Sequence, residues 1–197
     1  MTNNENRAKL VLASSSPRRE DILKQLKLKF TIVPGKIDEN KYTETDPEKL
    51  VKKLALEKAK SVSDLVENAL IIAADTVVVY ENKILGKPEN HEEAREQLKL
   101  LSGKEHQVIT GIAVISSETA KVHVESNITF VQMLDISDEK IEKYISTGEP
   151  LDKAGSYGIQ GFGGLFVKGI KGSYYSVVGL PIHQLAEILD KFNYGIL

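Results

Sequence analysis

The sequence predicts an α/β fold built around a mixed, twisted sheet. Three observations carry that expectation. Apolar patterning alternates along the 197 residues between strand-like and helix-like periods. One run, LIIAADTVVVY at 70–80, is almost continuously apolar and β-branched, as a central strand buried on both faces must be. Between the periodic stretches lie only short turn-like segments, with no repeat, low-complexity tract or long linker.

Taken in order, a strand near 9–13 leads into a helix near 17–27, opened by Ser16 as cap and Pro17 at the first helical position. FTIVPG at 30–35 reads as a second strand, and Asp46-Pro47 opens a long helix to about residue 66 with Val51, Leu54, Ala55, Val62 and Leu65 inward. After the central strand, Glu81-Asn82-Lys83 turns the chain into the short strand ILG. Asn90 begins another helix, with Glu93 as its capping-box partner. Two long strands follow at 106–116 and 122–134, expected to be antiparallel, and Ser137 caps a helix to about 146. The glycine-rich stretch 147–164 reads as loop, LFVKGI and SYYSVVG as short strands, and Pro181 starts a last helix.

Bulk composition narrows the function classes. Hydrophobic content of 41% with 27% charged residues is that of an ordinary globular protein. A net charge of −2 gives no general reason to expect nucleic acid or membrane as a partner, so an anion site must be a local cluster of basic residues. The absence of cysteine excludes disulfides and thiolate metal sites and fits a reducing compartment. The N-terminal MTNNENRAK carries no signal-peptide core, and no apolar run approaches the roughly 20 residues of a membrane span. A cytoplasmic protein is expected.

Four places break a local rule, which is where functional groups tend to lie. Arg18 and Arg19 fall in the first turn of a helix, where the dipole disfavours cations. A bound anion would reverse that sign, and pairing with Glu20 or Asp21 would merely soften it. Lys58 sits within the apolar stripe of the long helix: either its stem snorkels to solvent, or its ammonium meets something negative. Asp75 interrupts the most apolar run of the chain, where an ionised carboxylate needs a cation, a metal or several donors. A satisfied structural Asp is one reading; a general base or metal ligand is favoured over a phosphorylated nucleophile, because Val77 stands where a second Asp would be wanted. Fourth, the stretch 147–164 collects Glu149, Asp152, Lys153, Tyr157 and Gln160 among glycines that permit close backbone approach. Neither a P-loop nor a dinucleotide fingerprint is present, and the four histidines have no metal-ligand spacing.

Together LASSSPRRE, Lys58 in LEKAK, AADTVV, LGKP around Lys87, SGKEHQVITG and EPLDKAGSYGIQG resemble the Maf family of nucleoside triphosphate pyrophosphatases, over about residues 9–193. That resemblance implies one Maf-like domain over 1–197 with two lobes and a cleft, related to the inosine triphosphatase architecture. It implies hydrolysis of a nucleoside triphosphate to the monophosphate and pyrophosphate with Mg²⁺ or Mn²⁺. It matches Asp75 to the proton acceptor, Arg18, Thr76 and Gln160 to substrate selection, and Ser14, Arg19, Lys58 and Lys87 to phosphate binding. Asp38 or Glu39, together with Asp75, corresponds to the metal position. The DKAGSYGIQG form resembles the branch acting on dTTP and UTP, including modified pyrimidines. A homodimer is compatible with the resemblance, though no exposed apolar stripe demands one. The rival expectation is a nucleotide-binding regulator of septation without significant turnover.

Overall fold

The computed structural model describes residues 8–197, so residues 1–7, on which the reading of MTNNENRAK rests, lie outside the described residues. Seven strands and six α-helices alternate along the chain: β1 (Lys9–Leu12), α1 (Pro17–Gln25), β2 (Phe30–Ile32), α2 (Pro47–Ser63), β3 (Ala69–Tyr80), β4 (Lys83–Leu85), α3 (His91–Leu101), β5 (Glu105–Ser116), β6 (Val122–Met133), α4 (Asp138–Ser146), β7 (Val167–Lys171), α5 (Tyr174–Val178) and α6 (Ile182–Lys191). The strands pair in the order β2-β1-β3-β5-β6-β7, with β4 on β3. β1 is parallel to both β2 and β3, whereas β3–β4 and β6–β7 are antiparallel, which makes the sheet mixed.

Two compact units divide the described chain. The first takes the chain up to Asp75, Thr110–Ser126 and Gly179–Leu197; the second takes Thr76–Ile109 and Asn127–Val178. In the first unit, Leu12 aligns with Ile72 in the parallel β1–β3 ladder; the segment leaving β1 carries Ser14 and runs into α1 with Arg18 and Arg19, and the segment leaving β2 carries Asp38-Glu39. Parallel α/β sheets place ligands beyond the carboxyl ends of such strands. Its core is unusually fine-grained: Ala55, Ala59, Ala73 and Ala113 pack with Val11, Val62, Ile71 and Ile115, so small side chains let α2 lie close on the sheet. The approach is closest at Gly111, where a Cβ would fall 2.4 Å from the Val51 carbonyl oxygen. α2 begins where the sequence places it, because Asp46 Oδ1 accepts from the Glu48 and Lys49 amides at 3.0 and 3.2 Å.

In the second unit, α3 and α4 cover Val78, Val108, Val131 and Met133 with Leu98, Leu101, Ile141 and Tyr144. Asn90 Oδ1 caps α3 by accepting from Glu92 and Glu93, while the Glu93 carboxylate reaches back to the Glu89 amide, one residue beyond the expected box. Arg95 of α3 pairs with Glu142 of α4.

Three sequence expectations need correction. SYYSVVG is helical at Tyr174–Val178, because Ser173 turns the chain: its hydroxyl accepts from the Ser176 amide at 3.2 Å, and Thr129 Oγ1 accepts from the Ser173 amide at 3.0 Å. Leu65 is 70% exposed, since α2 ends at Ser63, before the apolar stripe would reach it. Ser16 occupies the N-cap position of α1, but its side chain makes no capping bond. Among the described residues no helix is long and apolar enough to cross a membrane.

Candidate active site

Asp75 is buried in the middle of β3, and its side chain is only 9% exposed. A carboxylate placed there by a strand cannot retreat to solvent, so it must be met by charge. Lys58 meets it. From the face of α2 that packs on the sheet, the Lys58 ammonium stands 2.5 Å from Asp75 Oδ1 and 2.7 Å from Glu39 Oε1. One cation therefore joins two carboxylates supplied by separate elements, one buried and one at the mouth. Gly35 permits the approach of the β2 exit loop to α2, for a Cβ there would lie 2.6 Å from the Lys58 carbonyl oxygen.

Arg19 supplies a second positive group. Its Nε donates to the Gly179 carbonyl at 2.8 Å and its Nη1 to Ser14 Oγ at 3.2 Å. Ser14, buried at the end of β1, also accepts from the Ser16 amide at 3.2 Å, so a single hydroxyl ties the β1–α1 turn to the guanidinium. Burial lowers the Arg19 pKa, and Asp75 opposes that shift while Arg18 adds to it. Burial raises the Asp75 carboxyl above its ordinary value, against the pull of Lys58 and then of Arg19. Arg18 is half-buried beside them on α1.

The first unit thus brings together Ser14, Arg18, Arg19, Glu39, Lys58 and Asp75 from the segments after β1 and β2, the middle of β3 and two helices. Asp38 does not join them: its carboxylate is exposed and faces Lys41 at 3.8 Å. Of the two adjacent acidic residues, Glu39 is the one whose side chain reaches Lys58. Among the described residues no group of three or more His, Cys, Asp or Glu is placed to hold a metal ion. The donor set still fits a hard divalent cation, because Asp75 and Glu39 converge on one cationic locus, and Mg²⁺ typically takes one or two carboxylates and completes its shell with phosphate oxygens and water.

Thr76, Lys87 and Gln160 belong to the second unit. Lys87 and Gln160 are exposed, and Thr76 is half-buried in β3. The loop that carries Gln160 is fastened at several points. The Gly155 amide donates to the Gly86 carbonyl at 3.1 Å, which ties this loop to the residue before Lys87. Ser156 Oγ donates to Gln97 Oε1 at 2.6 Å, and Tyr157 Oη lies 2.7 Å from His106 Nε2, both pairs buried. The Glu149 carboxylate accepts from Tyr144 Oη at 2.9 Å and from the Phe162 and Gly163 amides at 3.1 Å each, closing the loop on both sides of Gln160. Sequence reasoning singled out Glu149 and Tyr157 in this loop but missed their partners: Tyr144 and the loop amides for Glu149, and His106, quoted only within SGKEHQVITG, for Tyr157.

Comparison with known proteins gives this constellation a family. The family of Maf-like proteins matches residues 9–192. This chain belongs to the Maf-like family. Among relatives of the Maf-like chain, a protein of Ruminiclostridium cellulolyticum named dTTP/UTP pyrophosphatase is 48% identical over 189 residues, covering 95% of this chain and 98% of its own. One of Alkaliphilus metalliredigens with the same name is 49% identical over 191 residues, covering 96% and 99%. A third, from Bacillus cereus strain G9842 and also so named, is 46% identical over 189 residues, covering 95% and 97%.

Proposed function

We propose that this Maf-like protein is a nucleoside triphosphate pyrophosphatase that hydrolyses dTTP and UTP to the monophosphate and pyrophosphate. Relatives of that name at 46–49% identity over nearly the whole chain support the activity. The observation that carries the chemistry is the meeting of Lys58 with Asp75 and Glu39, inside the electrostatic reach of Arg19.

A triphosphate is a polyanion, and its binding begins with neutralisation. Arg18, Arg19 and Lys58 supply the charge, Ser14 supplies a hydroxyl, and the positive end of the α1 dipole adds to them. On this reading two arginines at a helix start suit a helix that holds phosphate. Lys87 adds further charge, while Thr76 and Gln160 read the pyrimidine, together with Arg18. A base-reading group left unpaired by the wrong ring supplies the discrimination.

Asp75 accepts the proton of a water that attacks the α-phosphorus. The new bond is oxygen to α-phosphorus, the broken one is the α–β anhydride, and pyrophosphate departs with its electron pair. Burial aids the step by raising the carboxyl toward the operating pH. Glu39 and Asp75 would hold the divalent cation, Mg²⁺ or Mn²⁺, which when bound supplies charge neutralisation at phosphate oxygens. Asp38, directed to Lys41, takes no part in this reading. General-base action is worth about 10²–10⁴ in rate, so positioning and charge stabilisation must provide the remainder. The reading includes a cytoplasmic protein that works on a free small molecule, with neither nucleic acid nor membrane as partner, and a homodimeric state open to light scattering.

The test is pyrophosphate release across a panel of nucleoside triphosphates with and without Mg²⁺ or Mn²⁺. Preferred, metal-dependent turnover of dTTP and UTP is expected. Tight triphosphate binding without turnover would replace the enzyme by a nucleotide-binding regulator, and preferred purine turnover would overturn the substrate class.

A further inference from the structure

Two carboxylates converging on one point define a cation position, and in this protein the point is held by the chain's own ammonium. Lys58 Nζ is 2.5 Å from Asp75 Oδ1 and 2.7 Å from Glu39 Oε1, and the Lys58 side chain is only 13% exposed. Both carboxylates already face a cation, and Arg18 beside Arg19 adds a third positive charge. Asp75 and Glu39 are offset by Lys58 and Arg19, each of which acts electrostatically on Asp75. A bare divalent ion approaching Asp75 would meet both cations, and it would have to evict an ammonium from two close contacts, of which the one to Asp75 is poorly screened. A polyphosphate changes that balance: it brings more negative charge than one divalent ion cancels, and it offers Lys58 new oxygen acceptors at the same moment.

Resting on the pyrophosphatase reading for the identity of the polyanion, we propose that Lys58 is the resident counter-ion of the Asp75–Glu39 pair and that a divalent cation takes its place only in the company of a polyphosphate. Lys58 thereby has two alternating partners. It satisfies the carboxylates when the site is empty and turns to phosphate when metal enters. The arrangement makes the metal–polyphosphate complex the species that binds and guards the buried carboxylate from free divalent ions.

Equilibrium dialysis of Mn²⁺ against the full chain tests this without turnover. The wild type is expected to retain Mn²⁺ weakly alone and at least about tenfold more strongly with inorganic tripolyphosphate, each compared with Asp75→Asn. Lys58→Met removes the competing charge but keeps the length of the side chain. It should raise Mn²⁺ affinity in the absence of any polyphosphate by about tenfold, and the double variant Lys58→Met with Asp75→Asn should lose that gain. Lys58→Gln serves the same purpose if the methionine variant fails to fold. An unchanged or lowered affinity in the folded Lys58 variant overturns the proposal, as does wild-type retention of Mn²⁺ that is equally tight with and without tripolyphosphate; where neither variant folds, the wild-type comparison decides. Since dialysis reads binding alone, absence of dTTP or UTP hydrolysis would strike the pyrophosphatase reading and leave this one standing. Tight metal binding by the free, active enzyme would do the reverse.

Discussion

Lys58 and Asp75, 17 positions apart on a helix and a strand, are joined by a 2.5 Å contact, and the same ammonium also meets the exposed acid Glu39. Most of the reaction's expected sensitivity to mutation follows from this pair.

Replacing Asp75 by Asn keeps shape and removes the proton acceptor. The expected result is a fall in kcat of about 10²–10⁴, larger than the accompanying loss of affinity for a non-hydrolysable pyrimidine triphosphate, read by steady-state kinetics beside calorimetric titration. Near-normal turnover would remove Asp75 from the role of base.

The pH dependence of the reaction should report on the same contact. Burial raises the Asp75 carboxyl while Lys58 lowers it. In Lys58→Met the lowering influence is gone, so the carboxyl of the free enzyme rises further and the acid limb of the kcat/KM profile moves to higher pH. An acid limb that stays in place, measured in the folded variant, would show that another group controls it.

His106 predicts a stability effect far from that chemistry. It is 2% exposed, and burial brings its pKa down to about 4. Above the unfolded value of about 6.5 both states are neutral and the group costs nothing. As pH falls below 6.5 the unfolded chain gains a proton that the fold refuses until about 4, so stability declines through that window. The loss attributable to His106 should be about 2 kcal/mol at pH 5, visible in urea titrations as a pH slope that flattens in a folded His106→Gln variant.

Gly111→Ala tests the seat of α2. The new methyl would fall 2.4 Å from the Val51 carbonyl oxygen, a backbone atom that cannot rotate away. Stability should fall by about 1–3 kcal/mol in thermal or chemical denaturation. An unchanged melting temperature would mean that α2 can lift from the sheet without cost.

Much of the fold was readable because its signals are local. The run 70–80 could only be a buried strand, and Asp46-Pro47 could only open a helix. Lys58 and Asp75 stood out as charges in apolar surroundings, and the contact between them explains both. What stayed hidden depended on distant partners or on loop geometry. SYYSVVG is rich in the aromatic and β-branched residues of a strand, yet Thr129 and Ser173 turn it into a helix. Whether Asp38 or Glu39 faces the site is decided by how the exit loop of β2 is set, to which adjacent acidic residues give no clue. Glu149 closes its loop through two backbone amides and a tyrosine hydroxyl, donors that no residue pattern announces.

Arg19 rests its Nε on the Gly179 carbonyl, 160 positions further along the chain. During synthesis the guanidinium emerges early and waits for its support until Gly179 has left the ribosome. A prematurely terminated product lacking Gly179 would carry the complete LASSSPRRE signature and still miss the carbonyl that aims it, so translation must pass Gly179 before this arginine acquires its native posture.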